Sequence, residues 1–322
     1  VRQFHAECAL IENPIDLFYL TGMKFSRGSL VVTRREMVLF LDGRYLGKAQ
    51  KDLTIRVMPI EQMNDWIGKR EVEIDGAVTT VDRFETLKKG LNIKVRSGLL
   101  KQQRAIKEKG EIEALKRAQD VTRSGFEHVQ GQLREGVSEE ELGWQFEMFV
   151  RKAGASGLSF ESIVAFGENS AYPHYRAGKT RWKKGQIVLF DLGAVVDGYA
   201  GDMTRVVGAS GELEKMLHWT IMAQQKAMET IRVGNTFGDL DRAARKVFQE
   251  MGVEELFTHS LGHGIGLETH EFPLIKITSA DRDVKIEEGM VFTIEPGLYK
   301  PGLGGVRWED VFVATNDGYV KL

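Results

Sequence analysis

The C-terminal two-thirds of this chain repeats itself, and that repeat constrains the fold more than any other feature. The segment REGVSEEELGWQFEMFVRKAG (134–154) aligns with RVGNTFGDLDRAARKVFQEMG (232–252). In each, a glycine (Gly136, Gly234) precedes a hydroxyl residue (Ser138, Thr236), and an acid follows three positions later (Glu141, Asp239). A second glycine lies eighteen residues after the first (Gly154, Gly252). A hydroxyl and an acid at that spacing form a capping box, and glycine commonly closes a helix, so the pattern predicts two equivalent helices.

The similarity continues downstream. KKGQIVLFDLG (183–193) resembles EEGMVFTIEPG (287–297), with Asp191 and Glu295 each six residues after one glycine and two before another. A second carboxylate follows on the return strand, Asp202 in the first half and Glu309 in the second. Between the halves, Leu213, Met216, Leu217, Ile221, Met228 and Ile231 fall on one helical stripe. Each half therefore reads as helix, helix, carboxylate-bearing strand pair. Two such halves about a pseudo-twofold axis would bring four carboxylates to one centre.

A carboxylate in an apolar strand is costly to bury unless it is paired or binds a cation. Here Asp191, Asp202, Glu295 and Glu309 sit in three glycine-punctuated, strand-like segments, and His263 lies in a fourth, HSLGHGIGLETHE (259–271). Taken alone, Asp191 and Asp202, which flank the turn Val196-Asp197-Gly198, read equally well as two solvated hairpin aspartates; the matched pair in the second half argues against that. His263 and His270 are seven residues apart, so a flat strand would point their rings to opposite faces. They can share a pocket only if the chain bends between them. His174 and His259 fall in segments near the acids, whereas His5, His128 and His218 read as ordinary surface or helix residues.

An oxygen-rich ligand set with one imidazole suits Mn²⁺ or Co²⁺, with Zn²⁺ or Fe²⁺ also fitting, and a single cysteine excludes a thiolate zinc site. Two bridging carboxylates would hold a pair of such ions ~3.5–4 Å apart around a shared water acidified toward neutral pH, which points to hydrolysis. There is no GxSxG, no phosphate-binding P-loop and no HExxH to suggest another chemistry. Net charge is −2, which gives no reason to expect nucleic acid or an anionic membrane as partner. No apolar run approaches the ~18 residues of a membrane span. Cys8 alone cannot form an internal disulfide and fits a reducing cytosol; with no leader-like segment visible, a cytoplasmic protein is expected.

The first hundred residues alternate strand-like apolar runs with helical pieces. IDLFYLTG (15–22), SLVVTRREMVLFLD (29–42) and LTIRVMPI (53–60) read as strand-like, with EIDG (73–76) and LNIKVRSG (91–98) adding shorter ones. The charged stretch KQQRAIKEKGE (101–111) reads as the entry to a second domain. The expectation is an α/β domain over 1–107 and an α+β domain with a pseudo-twofold αα-ββ repeat over 108–322.

The motifs DLG…GDMTR, HSLGHGIGLETHE, TIEPGLY and GVRWED together make the C-terminal domain resemble the pita-bread metallopeptidases: methionine aminopeptidase, aminopeptidase P and prolidase. The N-terminal domain resembles the smaller α/β domain of aminopeptidase P and prolidase. The resemblance implies two divalent metals, Asp191 chelating one, His263 and Glu295 binding the other, and Asp202 and Glu309 bridging them. It implies Glu295 as proton shuttle and His270 as the group that contacts the scissile amide and stabilises the tetrahedral intermediate. His174 and His259 match further pocket histidines, Arg307 matches an arginine that buttresses the bridging carboxylates, and Tyr299 matches an accessory tyrosine. It further implies short proline-containing peptides as substrates and a homodimer. A methionine aminopeptidase would leave residues 1–107 unexplained. A metal-free relative such as creatinase would have lost ligands that are all present. A non-catalytic peptide-binding protein would take up no metal and turn nothing over.

Overall fold

The computed structural model describes residues 4–322. The chain divides into two compact units between Gln103 and Arg104. In the first, six strands form one mixed sheet: β1 (Cys8–Ile11), β2 (Ser29–Thr33), β3 (Met37–Leu41), β4 (Arg56–Pro59), β5 (Glu71–Asp75) and β6 (Asn92–Arg96), in the order β4-β3-β2-β1-β5-β6. The pairs β1–β2 and β2–β3 are antiparallel and the other three parallel. Helices α1 (Pro14–Thr21), α2 (Leu46–Asp52), α3 (Met63–Ile67) and α4 (Val81–Lys88) alternate with them, giving the α/β class expected.

One expected strand-like run is a helix. IDLFYLTG forms most of α1, because local capping outweighs its apolar composition. Asn13 Oδ1 accepts from the Ile15 amide, Pro14 occupies the first turn, and Gly22 closes the helix in the left-handed region at φ 69°.

Helix α5 (Lys101–Ala105) spans the division, and the second unit then opens with α6 (Lys109–Gln130) and α7 (Glu139–Lys152). Strands β7 (Gly157–Leu158), β8 (Ile163–Phe166), β9 (Val188–Leu192), β10 (Ala194–Val196), β11 (Tyr199–Ala200) and β12 (Met203–Val207) complete its first half. The second half repeats the plan with α8 (Glu212–Glu229) and α9 (Phe237–Glu250), then β13 (Gly262–Gly264), β14 (Glu271–Ile275), β15 (Val291–Ile294), β16 (Gly297–Lys300), β17 (Gly304–Arg307), β18 (Asp310–Thr315) and β19 (Gly318–Lys321). The sheet orders are β12-β9-β8 and β11-β10-β7 in the first half, β14-β13-β15-β18-β19 and β16-β17 in the second.

The helix signals act as read. Ser138 and Glu141 form a complete capping box on α7, and Thr236 and Asp239 form one on α9. The four flanking glycines, Gly136, Gly154, Gly234 and Gly252, all have positive φ, which side chains other than glycine adopt at a cost. Each half buries its own aromatic core between helices and strands. Phe126 meets Phe190 edge-on at 5.6 Å in the first, and Phe237 meets Phe292 at 5.1 Å in the second. Half of the expected α8 stripe is buried: Leu213, Met216 and Ile231 lie in the core, while Leu217, Ile221 and Met228 are only partly buried, and Thr220, Ala223, Gln224 and Ala227 complete the inward face. Small side chains let α8 approach its neighbours, and Gln224 is needed inside, where its amide donates to Ile294 O and to Asp310 Oδ2, both at 3.1 Å. Among the described residues, no helix is long and apolar enough to cross a membrane.

Candidate metal centre

Strand pairing delivers the four carboxylates. In β9–β12, Asp191 lies opposite Thr204, and Asp202 immediately precedes β12. The inner hairpin β10–β11 turns through Asp197 (φ 53°) and Gly198 (φ 88°), the two left-handed residues of a tight two-residue turn. In the second half, Ile294 pairs with Asp310 at the end of the β15–β18 ladder. Glu295 and Glu309 are the next residues outward on each strand, so they leave the ladder side by side.

His263 is placed by its glycines. A Cβ at Gly262 would lie 2.1 Å from Thr293 O, and one at Gly264 would lie 2.1 Å from Phe272 O, so only glycine allows the neighbouring backbones this close. The His263 amide donates to Thr293 Oγ1 at 3.1 Å. The β13–β14 register shifts between His263 and Gly264, and His270 lies in the connection rather than in a flat strand. The chain thus bends, and the two rings meet edge-on with centroids 4.3 Å apart.

All five expected ligands line one cavity of about 640 Å³, together with His174, His259, His270 and Arg307. Ligand atoms of Asp202, His263 and Glu309 lie within 4.8 Å of one another. His263 Nε2 is 3.7 Å from Asp202 Oδ2 and 3.4 Å from Glu295 Oε1. Asp191 stands to one side, its Oδ2 accepting from Arg307 Nη2 at 2.6 Å, while its buried Oδ1 has no hydrogen-bond partner.

The electrostatics are those of a site holding more negative charge than it can settle. Burial, then the neighbouring carboxylates, pushes Asp202 and Glu295 well above their ordinary range. Burial and Asp191 raise Glu309 to about 8. Burial lowers His263 and His259 to about 3, which leaves neutral imidazoles suited to act as ligands or acceptors. Burial opposes the charge on Arg307, but Tyr299 and the surrounding acids more than offset it. An unpartnered carboxylate oxygen, repelling carboxylates and a neutral histidine fit a divalent cation, which would relieve the repulsion and use those lone pairs.

Behind the acids runs a polar network. Arg307 donates to Asp191, to Thr204 Oγ1 (3.1 Å) and to the Tyr299 hydroxyl (2.6 Å). The Thr204 hydroxyl donates to Glu309 Oε2 at 2.7 Å, linking arginine and carboxylate. The Tyr299 hydroxyl meets His259 Nε2 at 2.9 Å, and His259 Nδ1 meets Ser260 O at 2.7 Å. With Nδ1 donating to a carbonyl, Nε2 is the acceptor and Tyr299 the donor. Sequence reasoning missed Thr204, whose only signal is its place in GDMTR, and the set formed by partly buried Arg205 with buried Gln224 and Asp310. In that set Arg205 donates to Glu309 O (2.6 Å) and Asp310 Oδ1 (2.6 Å), fixing the backbone that carries Glu309.

Comparison with known proteins gives the family and the fold. Residues 113–316 match the model of metallopeptidase family M24, and residues 2–106 match the creatinase/prolidase N-terminal domain. The chain belongs to metallopeptidase family M24, with the pita-bread catalytic fold. It is 33% identical to an Xaa-Pro dipeptidase of Pyrococcus horikoshii, over 98% of this chain and 92% of the relative. An Xaa-Pro dipeptidase structure from Bacillus anthracis superposes with a TM-score of 0.93 at 32% identity, covering 98% and 92% of the two chains. An X-Pro aminopeptidase structure from Thermotoga maritima superposes with a TM-score of 0.91 at 30% identity, covering 99% and 96%.

Proposed function

We propose that this chain is a dinuclear-metal exopeptidase that hydrolyses the Xaa-Pro bond of dipeptides or at the N-terminus of short peptides. The observation that carries the reading is the convergence of Asp191, Asp202, His263, Glu295 and Glu309 on one cavity, with too much negative charge for the site to stand alone. These five residues would hold two divalent ions, Mn²⁺ first, with Co²⁺ or Zn²⁺ also fitting the set. Bound ions of this kind polarise a carbonyl oxygen and lower the pKa of water toward neutrality.

The chain's own residues supply the rest. The Glu295 carboxylate takes the proton of the attacking water and returns it to the leaving nitrogen. His270, beside His263 and lining the cavity, contacts the scissile amide and stabilises the tetrahedral intermediate. Arg307 and Thr204 keep Asp191 and Glu309 in place while charge shifts among the acids. His174 and His259 also line the cavity. A bond to proline has no N–H to donate, so a site that works through carbonyl polarisation and histidines can cut it where one requiring that donor cannot. Phe160, Ile163, Pro173 and Leu274 add apolar lining to the cavity, which suits a pyrrolidine ring.

The test is hydrolysis of Ala-Pro and Ala-Pro-Ala by Mn²⁺-loaded protein, with a chelated control. Cleavage of the dipeptide alone identifies a dipeptidase, and preference for the tripeptide an aminopeptidase. Cleavage of Met-Ala peptides but neither proline substrate would overturn the proline specificity and leave the metal site standing. Turnover that persists after the metal is shown to be gone would overturn the hydrolytic mechanism.

A further inference from the structure

The cavity is acidic at its metal-site end, yet a peptide substrate brings a negative charge of its own. Two arginines line it, Arg307 and Arg176. Arg307 is engaged by Asp191, Thr204 and Tyr299. Glu271, also on the wall, is held by Arg104 and Lys107. Arg176 is different. Its side chain is 84% exposed, and Glu161, itself 70% exposed and lining the same cavity, lies 3.6 Å away, beyond hydrogen-bond length. Its guanidinium can therefore turn to an incoming anion at small cost.

The segment that carries Arg176 is nevertheless anchored. Glu139, on the first turn of α7, is fully buried. Its Oε1 accepts from the Phe166 amide (2.9 Å) and Asn169 Nδ2 (2.8 Å). Its Oε2 accepts from the Tyr175 hydroxyl (2.8 Å) and the Gly178 amide (3.2 Å), one contact on each side of Arg176. A carboxylate with four donors and both flanks of a loop in its grip fixes where that loop presents its next side chain.

We propose that Arg176 binds the C-terminal carboxylate of a short peptide substrate, and that Glu139 is the positioning residue that sets its place at the cavity mouth. The inference rests on the exopeptidase reading, in which the substrate's ammonium end goes toward the acids and its carboxylate end faces outward. Glu161 then acts as a competing anion.

The experiment compares KM for Ala-Pro and Ala-Pro-Ala with their C-terminal amides, using Mn²⁺-loaded protein. Arg176→Gln should raise KM for the free acids about tenfold and erase most of the acid-over-amide preference, as expected for one solvent-exposed charge-assisted contact. Glu161→Gln should move that preference the other way. Glu139→Gln should also weaken it, but not further in the Arg176→Gln background, a non-additivity that a merely structural role would not produce. If wild-type protein cuts these peptides and Arg176→Gln alters acids and amides alike, Arg176 is not the carboxylate site. If wild-type protein cuts none of them, the Xaa-Pro reading fails and this inference with it.

Discussion

At the scale of single residues, the centre depends on groups that differ in what their loss removes. Asp202→Asn or Glu309→Gln takes away a proposed bridge, so metal binding and activity should be lost together, as read by metal analysis and peptide hydrolysis on the same sample. His270→Ala should keep the metals and lower the rate about 10²–10³-fold, the cost typical of removing one stabilising donor; retained metal with full rate would take His270 out of the mechanism. Thr204→Val tests the network behind them. It removes the hydroxyl between Arg307 and Glu309 and leaves a buried acceptor short of a partner, which costs ~1–3 kcal/mol in stability. It should also weaken metal affinity about 10–100-fold, the usual effect of losing a group that orients a ligand; unchanged affinity by titration calorimetry would make Thr204 purely structural. The acids and His263 could be picked from the sequence because each repeats or sits in a marked context. Thr204 and Glu139 could not, because what defines them is a partner far along the chain: Glu309 for one, Gly178 and Tyr175 for the other.

At the scale of elements, legibility followed the range of the forces involved. Capping is local, and Ser138/Glu141 and Thr236/Asp239 mark their helices from sequence alone. Thr236→Ala should accordingly cost ~1 kcal/mol in stability, measured by denaturant unfolding, without changing the metal affinity of the centre. Helix α1 shows the same rule, since Asn13, Pro14 and Gly22 mark its ends locally and outweigh the strand-like apolar run between them. Burial of α8 was less legible. Which face goes inward depends in part on Asp310 and the Ile294 carbonyl needing the Gln224 amide, and that demand comes from strands 70 and 86 residues further on. Gly262 combines both ranges: a glycine is easy to see, but its reason is the Thr293 carbonyl 2.1 Å from where a Cβ would be. Gly262→Ala should push β13 away from β15 and lower both folding yield and metal uptake.

At the scale of the whole molecule, the repeat unites the two halves of the catalytic unit around a charge that neither half can neutralise, and this ties folding to metal and to pH. Glu309 is raised to about 8 in the folded, metal-free protein, from 4.5 in an unconstrained chain, by burial and then by Asp191. The folded state therefore keeps a proton that the unfolded chain releases. Its contribution to stability is fully present below about pH 4.5 and is lost as pH rises through 8, at ~1.4 kcal/mol per pH unit for each retained proton. Asp202 and Glu295 are shifted in the same direction and add to the slope. Other carboxylates act oppositely: Asp239 is held down by the Thr236 amide, and Glu271 is held down by Lys107 and Arg104 despite its burial. The clean observable is thus the difference between metal-free wild type and metal-free Glu309→Gln, which cannot ionise at that position. The wild type should lose stability relative to the variant between pH 5 and pH 8. A divalent ion competes for the same oxygens, so the rise in Tm on adding Mn²⁺ to wild-type protein should be larger at pH 8 than at pH 5.5. A wild-type-to-variant gap that stays constant over this range would mean that Glu309 ionises in the folded apoprotein as it does in water, and that the acids do not depend on a shared cation to coexist.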